Sequence, residues 1–131
     1  MLHVPYIAIL AAFALIYLPR QVVSAEMKKL EGGYENSDPR AQQARLEGLG
    51  RRAMGAHNNA FEAFAPFAAG VLVAMQRGVN VHTVAYISIG FVVVRTLYMV
   101  FYLADKATLR SSMWGLGVGA IGALMVLAAI G

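Results

Sequence analysis

The chain has 131 residues, 59% of them hydrophobic and 14% charged, with no cysteine and a formal net charge of +4. A soluble domain carries about 25% charged residues, and here 12 of the 18 charged side chains fall between Arg20 and Arg52, so the rest of the chain is too poor in charge to face water and reads as integral to a membrane. No cysteine means no disulfide framework, no cysteine-held metal and no cysteine nucleophile. The basic excess lies beside apolar segments, where it orients a membrane protein rather than binding nucleic acid.

At about 20 residues per span, the length predicts an all-α chain of four membrane helices and one sizeable polar loop. The first span covers about 2–25: Leu2–Leu18 is apolar, Pro19-Arg20 follows, and Val22-Val23 extends the run. Val23-Ser24-Ala25 resembles a signal-peptidase site, but Met1-Leu2-His3 lacks a basic residue and the apolar run is long, so a retained span is expected. Residues 26–51 form the polar loop. Within it, Asp38 as N-cap with Pro39 at the first helical position starts a short helix, and Gly48 and Gly50 interrupt the chain before the next span. The second span, about 52–76, holds Pro66 and the polar cluster His57-Asn58-Asn59 with Glu62. Arg77-Gly78-Val79-Asn80 is a turn. The third span, about 81–103, carries Arg95, Tyr98 and Tyr102, and Asp105–Arg110 connects it to a fourth at about 111–130.

Seven basic residues lie in the first connection and its borders, Lys106 and Arg110 in the third, and only Arg77 in the second. The positive-inside rule then places the first and third connections in the cytoplasm and both termini on the other side. Trp114 fits an interfacial anchor. Gly115 and Gly119, extended by Ala123, form a small face that lets a helix of this chain or of a second subunit approach closely.

Glu62 and Arg95 stand out, because a charge near the bilayer centre costs at least about 2.5–3.5 kcal/mol. Arg52, Gly55, Asn59 and Glu62 share one helix face within an arc of about 80°, and Arg95, Tyr98 and Tyr102 form a similar stripe. Glu62 lies ten residues in from Arg52, and Arg95 ten residues in from Asp105, about 15 Å in each case. Glu62 is therefore expected to meet Arg95, Asn59 to lie level with Tyr98, and Gly55 with Tyr102. A buried ion pair is one reading of these residues and a functional site the other; the two tyrosine hydroxyls exceed what neutralisation requires. His57 points off the stripe and is expected to be a helix-contact or interface residue rather than a ligand. Its five-residue spacing from Glu62 does not suit a metal, and no metal site is expected.

At these residues the chain resembles a bacterial-type member of the MAPEG family, the membrane-associated proteins of eicosanoid and glutathione metabolism. Arg52-Ala53-Met54-Gly55-Ala56-His57-Asn58-Asn59-Ala60-Phe61-Glu62, followed by Phe64, Pro66 and Phe67, is similar to its second-helix motif with Asn-x-x-Glu at the core. Arg95-Thr96-Leu97-Tyr98-Met99-Val100-Phe101-Tyr102 is similar to the third-helix Arg-x-x-Tyr-x-x-x-Tyr, and Leu109-Arg110 to the Leu-Arg at the foot of the fourth helix. The resemblance implies a homotrimer of four-helix bundles in membrane lipid, with glutathione bound between subunits on the cytoplasmic side. It further implies that Arg52, Asn59, Glu62, Arg95, Tyr98 and Tyr102 hold glutathione, that Arg110 stabilises its thiolate, and that the second substrate is a small apolar electrophile or a lipid hydroperoxide. The chain departs from the glutathione-binding eicosanoid members at Gly55, where they have arginine, and at Ala63, where they have tyrosine; Pro66 and Arg110 are each displaced by one residue. Arg51 and Arg52 lie one turn before Gly55.

The leading expectation is thus a glutathione-dependent membrane transferase or peroxidase. The alternative of a different class is a trimeric membrane scaffold or binding protein without the chemistry. A small four-helix transporter coupled through Glu62 ranks last, because the first span has no acidic residue.

Overall fold

The computed structural model describes residues 1–131 and is entirely helical apart from its connections. Four long helices, α1 (Val4–Lys28), α3 (Gly48–Gln76), α4 (Val81–Leu103) and α5 (Ala107–Ile130), alternate in direction, and a short α2 (Pro39–Ala44) lies in the long connection. Three of them, α1, α4 and α5, are long and apolar enough to cross a membrane. The fourth, α3, falls short of that composition because its first half carries Arg51, Arg52, His57, Asn58, Asn59 and Glu62.

Helices α3 and α4 form the short diagonal of the bundle, with α1 and α5 at opposite corners. The core sits on this diagonal. Phe67 and Phe91 stack at 3.8 Å between centroids with planes 9° apart, surrounded by Ala8, Ala12, Val71, Val84 and Leu124. Lipid tails are as apolar as these side chains, so between helices in a bilayer the gain is close packing rather than removal from water. Large side chains such as Leu10, Tyr86 and Val126 remain on the outside, as a lipid-facing surface requires.

Proline does not end α1. Pro19 is buried inside it, and the helix runs to Lys28, whose charge suits the negative end of the helix dipole. His57 of α3 bonds through Nδ1 to the Ile16 carbonyl at 2.6 Å, one residue past the carbonyl that Pro19 deprives of its donor. A carbonyl only accepts, so Nδ1 carries the hydrogen, and His57 is the helix-contact residue its position predicts.

The connection between α1 and α3 is folded. Asp38 accepts from the Ala41 amide at 3.2 Å, with Pro39 opening α2. Buried Gln42 does more: its Nε2 donates to the Gly33 carbonyl at 2.7 Å and its Oε1 accepts from the Glu35 amide at 2.8 Å. Met27, Val23, Leu46 and Ala53 form a second apolar cluster beneath it. At the opposite end, Asn80 caps α4 by accepting from the amides of His82 and Thr83. Arg77 donates to the carbonyls of Ala128 and Gly131, tying that turn to the end of α5.

One expectation is corrected: Gly50 does not interrupt the chain but lies buried inside α3. The last helix begins at Ala107, about one turn before the expected 111, because the chain reverses sharply at Asp105 (φ 59°). Gly115 and Gly119 receive no helix of this chain: the space beside each is open. The glycine that packs inward is Gly117, where an added Cβ would stand 3.3 Å from Arg95 Cδ.

Candidate functional site

The polar residues of α3 and α4 meet along a groove between α3 and α5, floored by α4. At the loop end lies a cavity of about 540 Å³ whose walls include Gln43, Arg45, Arg51, Asn58 and Tyr102. Tyr102 is shared with a second space of about 240 Å³ lined by Asn59, Tyr98, Arg110, Ser111 and Trp114. Asn59 and Trp114 are shared in turn with a third, about 280 Å³, whose walls are Glu62, Arg95 and mostly apolar residues such as Pro66, Phe91, Val118 and Ile121. Polarity therefore falls along the groove, from Arg45, Arg51 and Glu47 at the loop end to mostly apolar side chains at the other.

The expected direct pair of Glu62 with Arg95 is replaced by a relay. Arg95 Nη2 donates to Asn59 Oδ1 at 2.8 Å, and Asn59 Nδ2 donates to Glu62 Oε2 at 3.1 Å. The one salt bridge in the protein joins Lys29 to Glu26 at the loop end. Helical rise brings Glu62 and Arg95 to similar heights, but the Arg95 side chain reaches one turn toward the loop end, where Asn59 accepts it. Burial explains the asymmetry. Arg95 is 6% exposed and needs an acceptor, whereas Glu62 lies on the open groove wall.

The tyrosines act through their faces. The Arg95 guanidinium carbon lies 4.1 Å from the Tyr98 ring centroid, and that of Arg110 lies 4.6 Å from Tyr102, both cation–π distances. Tyr98 and Tyr102 meet edge to face at 5.6 Å. Tyr102 leans onto α3 so closely that its hydroxyl occupies the place a Cβ on residue 55 would take. This contact and the bond from Arg52 Nε to the Leu103 carbonyl at 3.3 Å give the helix register that the two stripes predict.

Asn59, Glu62, Arg95, Tyr98, Tyr102 and Arg110 thus lie along one groove. Arg52 lines none of its three cavities and instead holds the last turn of α4; Arg51 and Arg45 line the loop-end cavity. Sequence reasoning missed Asn58, which lies off the stripe yet lines that cavity, and Trp114, read only as an anchor although it lines both deeper spaces. Trp114 could have been found by helical spacing, since it lies four residues, about one turn, from Arg110. The side chains include no cluster of metal-ligating residues. The groove can hold an elongated polar molecule with anionic groups toward Arg45 and Arg51, beside an apolar one at the deeper end.

Comparison with curated proteins and with solved structures finds no match. A model of the MAPEG family matches residues 4–130, nearly the whole chain, and spans every helix that lines the groove. This match, with three helices long and apolar enough to cross a membrane, establishes that the chain is an integral membrane protein and belongs to the MAPEG family.

Proposed function

We propose that the chain is the subunit of a homotrimeric, four-span membrane enzyme that uses the glutathione thiolate to conjugate small apolar electrophiles or to reduce lipid hydroperoxides. The observation that carries this reading is the fall in polarity along one groove, with Arg110 lining its middle section. In this assignment α3 is the fourth span, the loop end faces the cytoplasm, and both termini lie on the other side. The open space beside Gly115 and Gly119 supports a neighbouring subunit on α5.

Glutathione enters from the loop end. Arg45 and Arg51 attract its carboxylates, with Arg52 fixing the α4 terminus behind them, and Asn59, Glu62, Arg95, Tyr98 and Tyr102 provide polar and aromatic contacts along its length. Arg110 stabilises the thiolate. Lowering a thiol from a pKa of about 8.5 by some 2 units requires about 2.7 kcal/mol. One arginine at about 4 Å supplies about 4 kcal/mol at an effective dielectric of 20. The thiolate then forms a bond to the electrophilic atom of a substrate held among Pro66, Val118 and Ile121, and the leaving group departs with the electron pair; from a hydroperoxide the leaving group is the alkoxide, and a second glutathione converts the resulting sulfenic acid to glutathione disulfide and water.

The test is glutathione binding to detergent-purified protein, followed through fluorescence of Trp114, the sole tryptophan, and then conjugation of a chromogenic electrophile. Arg110→Ala returns the thiol toward its free pKa, so conjugation at pH 7 should fall about 25-fold, and Arg95→Ala should weaken binding. Unchanged rates in both variants would overturn the site. Cross-linking that stops at dimers would contradict the trimer.

A second reading, a non-catalytic trimeric scaffold or binding protein, is favoured by the Tyr102 hydroxyl, which fills the space left by the missing side chain at Gly55. Absence of glutathione binding at millimolar concentration would select it.

A further inference from the structure

Gly55, Tyr102 and Arg110 belong to three different helices and touch in series. An added Cβ on Gly55 would collide with the Tyr102 hydroxyl and stand 2.6 Å from its ring carbon Cζ. The ring that this glycine admits carries the Arg110 guanidinium on its face at 4.6 Å. The same ring meets the Tyr98 ring edge to face at 5.6 Å. Arg110 has no hydrogen bond or salt bridge from its side chain to protein, so the tyrosine face is its one named anchor.

We propose that Gly55 is a positioning residue: the absence of a side chain on α3 sets the Tyr102 ring, and the ring in turn holds the Arg110 guanidinium in the middle of the groove. A Cβ at 55 requires the ring to move, because the atoms it meets approach closer than carbon and oxygen tolerate. Rotation about the tyrosine side-chain bonds is the least costly response, and it removes the platform from under the guanidinium. The geometric part of this inference stands by itself; its consequence for a thiolate rests on the reading of Arg110 given above.

Two measurements keep the parts separate. In detergent-solubilised full-length protein without ligand, the side-chain protons of Arg110, assigned by their disappearance in Arg110→Lys, should resonate upfield of free arginine because they lie over an aromatic face. Gly55→Ala and Tyr102→Leu should each return them toward the free value. Tyr102→Leu frees Arg110 without crowding α3, so it answers even if Gly55→Ala does not fold. An upfield position that persists in either variant overturns the proposal whether or not glutathione binds. With glutathione and an electrophile, each variant should lower the rate at neutral pH about fivefold and move the acidic limb of the pH–rate profile upward, the loss expected for one cation–π contact. The double variant should lose no more than Tyr102→Leu alone, since both substitutions act through one ring; additive losses would show that Gly55 acts elsewhere. Loss of the upfield position in a protein that binds no glutathione supports the positioning and refutes the transferase reading.

Discussion

Replacing Asn59 by leucine tests the relay at the centre of the groove. The substitution keeps the branched shape of the side chain but removes the acceptor that Arg95 Nη2 meets at 2.8 Å and the donor that Glu62 meets at 3.1 Å. The two losses are unequal. Glu62 lies on the open wall, so its bond contributes little. Arg95 is 6% exposed, and Asn59 is the one protein group to which it hydrogen-bonds. A hydrogen bond to a charged group contributes about 1.5–3 kcal/mol, and stripping a buried charge of its partner costs about 3–5 kcal/mol. The Tyr98 face remains under the guanidinium and retains about 1–2 kcal/mol. The expected destabilisation is therefore about 2–3 kcal/mol, read by reversible unfolding in mixed detergent micelles with circular dichroism. Arg95→Met alone should also destabilise. The double variant should lose about 2 kcal/mol less than the sum of the two, because the interaction is then counted once. Asn59→Leu within about 0.5 kcal/mol of the parent protein, or additivity with Arg95→Met, would refute the relay.

Three further outcomes follow from other parts of the chain. Gln42→Leu leaves the Glu35 amide and Gly33 carbonyl without their partner, so it should cost about 1–3 kcal/mol and speed hydrogen exchange across residues 29–47; unchanged exchange would deny the glutamine its role. Asp105→Gly relieves a left-handed backbone at φ 59° and should raise stability by about 0.5–1 kcal/mol in the same unfolding assay, whereas a loss would show that the aspartate side chain offsets the strain. Hydrogen bonds from the Ser37 hydroxyl and amide hold the Glu35 carboxyl below the ordinary glutamate range. A depressed folded-state pKa means the contribution is complete above about pH 4.3 and is lost as pH falls through the lower folded value. Exchange of the Ser37 amide should therefore accelerate in that acidic window beyond its intrinsic pH dependence, and Glu35→Gln should abolish the extra acceleration.

What the sequence revealed and what it hid divide along one physical line. Features set by backbone spacing were legible: Asp38 and Pro39 open α2, Arg77–Asn80 form the turn, and Gly55 faces Tyr102. Features set by where a flexible side chain ends were not. Equal heights for Glu62 and Arg95 place their Cα atoms, but the four-bond arginine stem chooses the acceptor, and it chose Asn59. Gln42 differs in no local respect from its neighbour Gln43; only the path of the chain past Gly33 and Glu35 gives it buried partners. The small residues of α5 show the same limit. Gly115, Gly117 and Gly119 are equivalent in composition, yet only Gly117 faces Arg95, because the rotation of a helix about its axis is fixed by its neighbours.

The least apolar long helix lines all three sections of the groove, and its length bears on this. Helix α3 has 29 residues, about 43 Å at helical rise, against a hydrocarbon core of about 30 Å. If the surplus lies at the loop end, where Arg51 and Arg52 belong, roughly the first nine residues stand in the headgroup region. Glu62 then lies about 10 Å into the hydrocarbon, on the shallow side of the midplane, where water entering the groove can hydrate it. On the placement of α3 as a fourth span proposed above, an exposed Glu62 would need no counterion, while Arg95, turned into the bundle, takes an amide acceptor and an aromatic face. Beyond Glu62 the α3 residues on the groove are Ala63 and Pro66, and the groove changes from polar to apolar within about one turn. For the function proposed above, a boundary of this kind would suit two reagents that do not share a solvent, one polar and one apolar, meeting beside Arg110 and Trp114.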